Sequence, residues 1–311
     1  MDKRDLVVVG AGPAGMAAAI SAYESGVKDI LLLERDQYLG GILNQCIHPG
    51  FGLHHFKEDL TGPEYADRFM KKIQTLPEIE ISLRSFAVNL TREKVLIYLR
   101  PGEMKEIKAK ALIMATGCRE RTREMVHIPG ARPAGIYPAG LAQKMINIEG
   151  WLPGKEMVIV GSGDIGLIMA RRFTLEGAKV KAVVEIQKET RGLIRNVVQC
   201  LEDFDIPLYF RHQISKIYGK DRVEKVEVTA VDTGTKFELT CDTVLISVGL
   251  IPENELIEMA GVEIAGEINR TSLPGLFVCG NSYKVYDLVD WVTRDSARAG
   301  EMAAAYLRDL G

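Results

Sequence analysis

Two stretches of the chain share one pattern of apolar, small and polar positions. Each begins with a β-branched apolar run, passes through a glycine-rich turn into an apolar helix ended by glycine, and closes with a second apolar run ending in glutamate. The stretches, Val7 to Arg35 and Val158 to Ile186, align without a gap. Strands that are apolar throughout are typical of parallel strands buried on both faces. The pattern therefore predicts a strand–helix–strand unit in each copy.

A matching tail follows each copy. Short apolar strands at Lys110 to Gly117 and Asp242 to Gly249 both stop at a glycine, and shorter alternating strands precede each. A third strand, Gly275 to Gly280, and a helix from Arg294 to Leu310 are predicted to end the chain. The repeat predicts an α/β protein of two Rossmann-like domains with three-layer ββα architecture, the second inserted into the first. We expect the first domain to comprise residues 1–118 plus 246–311, and the inserted second domain to comprise residues 119–245.

Each copy carries a GxGxxG fingerprint between its first strand and its helix. The first glycine makes the tight turn, the second lets the backbone approach a pyrophosphate, and the third lets helix and strand pack closely. The helix N-terminus offers N–H groups and a positive dipole end to the phosphates. Pro13 lies in the first helical turn, where its missing N–H has no cost. Each domain is therefore predicted to bind a dinucleotide.

Each fingerprint is followed by an acid at the end of the second strand. We predict that Glu34 and Glu185 bind the ribose hydroxyls of the adenosine. A carboxylate at position 185 favours NADH over NADPH, because it would repel the 2′-phosphate. Arg191 and Arg195 follow in a loop and would weaken that preference.

Composition argues against several other classes of function. The net charge is −3 and no long Lys/Arg run occurs, which argues against binding to nucleic acid or to a membrane surface. No unbroken apolar stretch reaches about 20 residues, so no transmembrane helix is predicted. The five cysteines are scattered, with no CxxC and no Cys/His cluster, so neither a disulfide framework nor a metal site is predicted. A reducing cytoplasm is the simplest location.

Taken together, these features resemble the two-dinucleotide-binding flavoproteins, the superfamily of thioredoxin reductases, glutathione reductases and NADH oxidases. GAGPAG with Glu34, the Gly40-Gly41 pair, LIMATG and LPGLFVCGN match its FAD signatures in order, and GSGDIG looks like the nicotinamide loop of thioredoxin reductases. The resemblance implies an enzyme that exchanges hydride between NAD(P)H and FAD, with the protein supplying positioning and electrostatics.

The resemblance also implies which residues hold each cofactor. The implied FAD residues are Gly10, Gly12, Pro13, Ala14, Gly15, Glu34, Arg35, Gly40, Gly41, Ile42, Val88, Ala115, Thr116, Gly117, Gly280, Asn281 and Val292. The implied NAD(P) residues are Gly161, Gly163, Asp164, Ile165, Gly166, Glu185 and Gly249. Asn281 stands where the family usually has Asp, and its amide oxygen can still accept a hydrogen bond from the ribityl chain. The helix that begins near Trp291 is expected to point N–H groups at the pyrimidine end of the flavin.

The chain departs from the family in its cysteines. It has neither the CxxC of thioredoxin reductases nor the CxxxxC of glutathione reductases, which excludes a dithiol relay. GGILNQCIHPGFG, GCRERTRE, IPGARPAGI and GSGDIGLIMARRFTLEG are instead similar to the small FAD/NAD-binding oxidoreductases associated with anaerobic-type glycerol-3-phosphate dehydrogenases, and to subunits of opine oxidases and hydroxyproline dehydrogenases. That resemblance implies electron transfer between NAD(P)H and a partner flavoprotein dehydrogenase subunit that acts on a small metabolite.

Cys46 and His48 are the candidate catalytic residues, and each has an alternative interpretation. Cys46 either cycles through sulfenic acid, as in single-cysteine NADH oxidases and peroxidases, or is a packing residue, which we favour. His48, His54 and His55 are either surface residues or face a substrate or partner. The run Arg119 to Glu124 is interpreted as a solvated hinge.

Two other functions stay open at this point. One is a stand-alone NADH oxidase or peroxidase that uses oxygen or Cys46, and the other is a non-enzymatic flavin redox sensor. A homo-oligomer is compatible with the sequence.

Overall fold

The computed structural model describes residues 2–310. They form two compact units: unit 1 contains the residues up to Arg119 and those from Pro252 onward, and unit 2 contains Glu120–Ile251. The α/β class predicted from the sequence is confirmed. Within the described residues, no helix combines the length and the apolar character needed to cross a membrane.

The elements follow the predicted alternation of strands and helices. The strands are β1 (Asp2–Val9), β2 (Ile30–Leu33), β3 (Ile79–Ser82), β4 (Phe86–Leu90), β5 (Val95–Arg100), β6 (Glu103–Met114), β7 (Cys118–Glu120), β8 (Ile136–Pro138), β9 (Glu156–Val160), β10 (Lys179–Glu185), β11 (Leu208–Phe210), β12 (His212–Gly219), β13 (Val223–Ala230), β14 (Lys236–Thr240), β15 (Thr243–Ile246), β16 (Leu250–Pro252) and β17 (Leu276–Val278). The α-helices are α1 (Pro13–Glu24), α2 (Gly62–Gln74), α3 (Ala139–Asn147), α4 (Asp164–Leu175), α5 (Ile194–Cys200), α6 (Glu255–Met259) and α7 (Val289–Leu310). Short 3-10 helices occur at Gly41–Gln45, Glu202–Phe204 and Gly280–Ser282.

Unit 1 is built on one sheet with strand order β3-β2-β1-β6-β5-β4, and β17 also pairs with β6. Strands β1, β2, β3, β6 and β17 are parallel, whereas β4 and β5 form an antiparallel meander with β6. Because β6 is 12 residues long, its first residues pair with β5 and its last residues pair with β17. One strand thus belongs to both the parallel core and the meander.

Successive residues of β1 enter two different cores. Leu6 and Val8 pack with helices α1, α2 and α7, while Val7 and Val9 pack with the meander. All four side chains are at most 5% exposed. Burial on both faces explains why this strand is apolar throughout rather than alternating.

Unit 2 repeats this layered arrangement. Its parallel sheet has the order β11-β10-β9-β15-β8, and β12, β13 and β14 form a separate antiparallel meander. Met157 and Ile159 of β9 enter the core that contains α4, whereas Val158 enters the core lined by the meander. Strands β7 and β16 form a separate two-stranded sheet.

Two boundaries differ from the sequence-based prediction. Helix α7 begins at Val289, close to the start expected near Trp291 and earlier than the helix predicted from Arg294 onward. Its first turn is stabilised by burial, because Val292 is 7% exposed and packs against Gly280. Unit 2 continues to Ile251 rather than ending at 245, since Ile246 of β15 pairs with Val160 of β9.

Gly300 provides a test of the contact between α1 and α7. A Cβ at Gly300 would overlap Ala18 O and lie 2.8 Å from Ala22 N, so Gly300→Ala forces the two helices apart. We expect the free energy of unfolding, measured with urea, to fall by about 3 kcal/mol. Gly266→Ala is the matched control, because no atom lies within 4 Å of the added Cβ, and it should change stability by less than about 0.5 kcal/mol. Equal stabilities of the two variants would contradict this packing.

Candidate functional site

The carboxyl ends of the parallel strands β1, β6 and β17 share one edge of the unit 1 sheet, at which α1 begins. A Cβ at Gly10 would overlap Ala115 O, and a Cβ at Gly15 would overlap Gly10 O. The protein's own packing therefore requires glycine at both positions. Ligands of open α/β sheets bind at this kind of edge.

The middle glycine of each fingerprint has no such packing role. Gly12 has a φ of −72°, and an added Cβ would lie 3.9 Å from the nearest protein atom, Gly41 Cα. Gly163 has a φ of −70°, and no atom lies within 4 Å of its added Cβ. An alanine would fit the protein itself at either position. The space left open at each helix N-terminus is a cradle that a Cβ would partly fill, which fits a bound pyrophosphate.

Glu34 is held beside the first fingerprint by two backbone hydrogen bonds. Its Oε2 accepts from Ala11 N at 2.8 Å, and its Oε1 accepts from Asp36 N at 2.9 Å. The residue is only 6% exposed. Because each carboxylate oxygen can accept a second hydrogen bond, both oxygens retain an acceptor site that fits a ribose diol.

Glu185 repeats this arrangement in unit 2, with one addition. Its Oε1 accepts from Gln187 N at 2.8 Å, while Oε2 accepts from both the N–H (2.9 Å) and the hydroxyl (2.7 Å) of Ser162. Only Oε1 therefore retains an acceptor site. The sequence-based prediction missed Ser162, although the repeat shows a hydroxyl residue there in place of Ala11.

The side chain of Asp164 binds a neighbouring loop of unit 2. Its Oδ1 accepts from Leu193 N at 2.8 Å and from Asn196 Nδ2 at 2.7 Å. The same loop, residues 190–196, also donates to the carbonyl oxygen of Ser162. Asp164 thus fixes this loop against the second fingerprint.

The Gly40-Gly41 pair lies against the first fingerprint. Gly40 N donates to Ala11 O at 2.9 Å, and a Cβ at Gly41 would lie 2.9 Å from Gly12 Cα. Ile42, the next residue, is 59% exposed. An exposed apolar side chain beside the cradle fits contact with an extended cofactor.

Val88 lies at an irregularity of the meander. The register of β4 against β5 shifts between Ala87 and Asn89, which leaves Val88 as the extra residue of a bulge. The backbone of a bulged residue is not used by the ladder. It is therefore suited to recognise a base through backbone atoms.

Two predicted FAD residues are engaged by other parts of unit 1. The hydroxyl of Thr116 donates to Glu253 O at 2.6 Å. Asn281 Oδ1 accepts from Tyr286 N at 3.1 Å, and Asn281 Nδ2 donates to Cys118 Sγ at 3.4 Å. The Asn281 oxygen retains a second acceptor site. Arg35 and Gly249 are exposed.

Cys46 is a buried thiol. It is 6% exposed, its Sγ donates to Ile42 O at 3.3 Å, and it packs closely against Gly62. Burial raises the pKa of the thiol to about 12. Because the thiolate is the reactive form, this environment favours the packing role over a redox role.

The three histidines of the same loop have different surroundings. His48 Nδ1 lies 2.9 Å from Pro49 O. The ring of His54 stacks on Trp291 with a centroid distance of 4.9 Å, and burial lowers the pKa of His55. Within residues 2–310, no group of three or more His, Cys, Asp and Glu side chains could hold a metal ion.

The run Arg119 to Glu124 is more ordered than the predicted solvated hinge. The carboxylate of Glu120 accepts from Gly140 N at 2.7 Å and from Leu141 N at 3.2 Å, at the start of α3. Arg123 is 6% exposed and donates to carbonyl oxygens of the following loop. Burial raises the pKa of Glu120 and lowers the pKa of Arg123. The prediction was wrong for Glu120 and Arg123, because these two charges find backbone partners that no helical or strand pattern in the sequence indicates. Arg119, Arg121 and Glu124 are exposed.

Known proteins share this architecture. The sequence model of the family described as "Pyridine nucleotide-disulphide oxidoreductase" matches residues 4–294. The crystal structure of Lactococcus lactis thioredoxin reductase (FR conformation) has a TM-score of 0.80 at 22% identity, covering 98% of this chain and 99% of that one. This likeness confirms the predicted fold class.

Three curated relatives are similar in sequence. The thioredoxin reductase of Listeria innocua serovar 6a is 23% identical, over 98% of this chain and 94% of its own length. The hydrogen cyanide synthase subunit HcnB of Pseudomonas protegens is 27% identical over 83% of this chain and 59% of its own. An opine oxidase subunit of Agrobacterium tumefaciens is 26% identical over 90% of this chain and 61% of its own. The chain thus spans less than two thirds of the two relatives named as subunits.

Cys46 is expected to resist alkylation in the folded protein. With a pKa of about 12, roughly one thiol in ten thousand is ionised at pH 8, whereas an unfolded cysteine has a pKa of about 8.5. The measurement is iodoacetamide labelling at pH 8, with the Cys46 peptide quantified by mass spectrometry. The same protein in urea is the control and should label readily. Labelling of the folded protein at the unfolded rate would contradict the burial.

Proposed function

We propose that this chain, which belongs to the pyridine nucleotide-disulphide oxidoreductase family, is an FAD-dependent NAD(P)H oxidoreductase. When bound, FAD supplies the ring that exchanges hydride with the nicotinamide. The observation that carries the proposal is the pair of middle glycines, Gly12 and Gly163. Each leaves an open cradle at a helix N-terminus, and a buried carboxylate lies at the end of the following strand.

We assign FAD to unit 1 and the nicotinamide cofactor to unit 2. In unit 1 the α1 N-terminus would hold the pyrophosphate and Glu34 the ribose, with Gly41 and Ile42 along the cofactor. In unit 2 the α4 N-terminus and Glu185 would perform the same tasks. The remaining FAD and NAD(P) contacts predicted from the sequence are part of this proposal.

NADH is the preferred nicotinamide cofactor. The carboxylate of Glu185 is 5% exposed and accepts a hydrogen bond from the hydroxyl of Ser162, a residue of the fingerprint. A buried negative charge at this position would repel a 2′-phosphate more strongly than an exposed one. Arg191 and Arg195 are exposed residues of the neighbouring loop and would reduce this repulsion only in part.

We further propose that the electrons pass to or from a partner dehydrogenase subunit that acts on a metabolite of glycerol-3-phosphate or amino-acid type. None of the five cysteines belongs to a CxxC or CxxxxC pair in the sequence. Cys46, the one candidate for an internal acceptor, is buried. Two of the relatives are named as subunits, which supports a partner.

Anaerobic titration with NADH tests the core of the proposal. NADH should bleach the visible band of the bound flavin, and NADPH should require a higher concentration. In Gly163→Ala the added Cβ occupies the pyrophosphate cradle, so we expect half-bleaching at about tenfold higher NADH. Gly266→Ala is the matched control and should behave as the wild type. A flavin band that NADH leaves unbleached would contradict an enzymatic role and support a redox sensor.

Air oxidation distinguishes the partner-dependent enzyme from a stand-alone oxidase or peroxidase. The NADH-reduced protein should be reoxidised slowly by oxygen, and Cys46→Ser should leave both NADH oxidation and reoxidation unchanged, because a buried protonated thiol is a poor nucleophile. Stopped-flow absorbance of the flavin measures both steps. Fast turnover with oxygen that is lost in Cys46→Ser would establish the oxidase or peroxidase alternative.

A further inference from the structure

The first turn of α7 lies beside the first fingerprint. A Cβ at Gly280, which follows β17, would lie 2.5 Å from Ala14 Cβ and 3.4 Å from Val292 Cγ1. Gly280 is thus packed between the first turn of α1 and the first turn of α7. Both helices therefore begin at the edge of the sheet that we assign to FAD.

Asp290 brings a carboxylate to this first turn of α7. The residue is 4% exposed. Its Oδ2 accepts from His54 N at 3.1 Å, whereas no hydrogen-bond partner for Oδ1 occurs in the part of the chain that the structure describes. Leaving a buried acceptor without a donor costs about 1–3 kcal/mol, and more for a charged group. The free oxygen therefore indicates a donor supplied by a bound molecule.

The charge of Asp290 is not neutralised by its neighbours. Arg294, one turn further along α7, pairs with Asp295 at 3.0 Å and lies over the Trp291 ring. Burial lowers the pKa of His55 and so disfavours the cationic ring, although the charge of Asp290 acts in the opposite direction. What stabilises the carboxylate is the N-terminal dipole of α7, the His54 N–H and the neighbouring hydroxyl of Tyr65, none of which carries a full positive charge.

We propose that Asp290 accepts a hydrogen bond from the N–H of the flavin pyrimidine ring and, through its charge, disfavours reduction of the bound flavin. This rests on the proposed binding of FAD to unit 1. Reduction adds negative charge to the pyrimidine half of the ring, and a fixed carboxylate in a buried site opposes that charge. Asp290 thus offsets the helix dipole of α7, which would favour the reduced ring. A flavin that yields its electrons readily suits a protein that passes them to a partner.

The test measures the redox equilibrium of the bound flavin rather than turnover. Wild-type protein and Asp290→Asn are equilibrated without oxygen against a reference dye, and the ratio of reduced to oxidised flavin is determined from absorbance at a fixed dye ratio. We expect this ratio to rise about tenfold in Asp290→Asn, because the opposing charge is removed.

Asp295→Asn is the matched control. Asp295 is a buried carboxylate of the same helix, at 6% exposure, whose oxygens are paired with Tyr286 and Arg294. The Asp295→Asn substitution should change the ratio of reduced to oxidised flavin less than about threefold. An unchanged or lower ratio in flavin-loaded Asp290→Asn, or an equal rise in both variants, would overturn the proposal.

Further variants keep the test decisive if Asp290→Asn does not retain flavin. Asp290→Glu, which keeps the charge, should stay near the wild-type ratio, and Asp290→Ser, which removes it, should raise the ratio. Equal ratios in these two variants, or loss of flavin from all three, would overturn the redox role. Wild-type protein that binds no flavin would contradict the proposed function itself, whereas NADH-reducible flavin with unaltered ratios contradicts only the role of Asp290.

Discussion

The close backbone contact inside each fingerprint determines where the rest of each unit can lie. In unit 1 a Cβ at Gly15 would overlap Gly10 O, and in unit 2 a Cβ at Gly166 would lie 2.7 Å from Gly161 O. These contacts place each helix directly on the end of its strand. The helix N-terminus then faces the open edge of the sheet, where its first N–H groups have no acceptor within the helix. An anion is the natural partner of such an edge.

The contact inside each fingerprint also determines the surroundings of the carboxylate at the end of the neighbouring strand. Because the turn and the strand end lie together, Glu34 and Glu185 each accept a backbone hydrogen bond from the residue after the first glycine. The side chain of that residue differs between the two copies, alanine in one and Ser162 in the other. That single hydroxyl uses an acceptor site that remains available in unit 1. A duplicated backbone thus gives the two proposed adenosine sites different hydrogen-bonding capacity.

The sequence predicted the fold well because the information is local and repeated. Strand, glycine turn and helix lie within a few residues of one another, and the second copy supports the first. The partners of individual side chains were harder to predict from the sequence, since they depend on contacts between distant segments. His54 and Asp290 meet only in the folded chain, as do Glu120 and the start of α3. The start of α7 at Val289 lies before Arg294 and before Trp291, the two predicted starts, because its first turn is stabilised by packing of Val292 on Gly280.

The surroundings of Cys46 and of Asp290 both bear on whether this chain stores electrons. A flavoprotein that stores electrons in a thiol needs an accessible thiolate, and burial raises the pKa of Cys46 to about 12. A flavoprotein that retains electrons on its flavin gains from positive charge near the ring, and the first turn of α7 instead presents the carboxylate of Asp290. Neither feature favours keeping electrons within this chain. Both agree with the proposal that the electrons continue to a second protein.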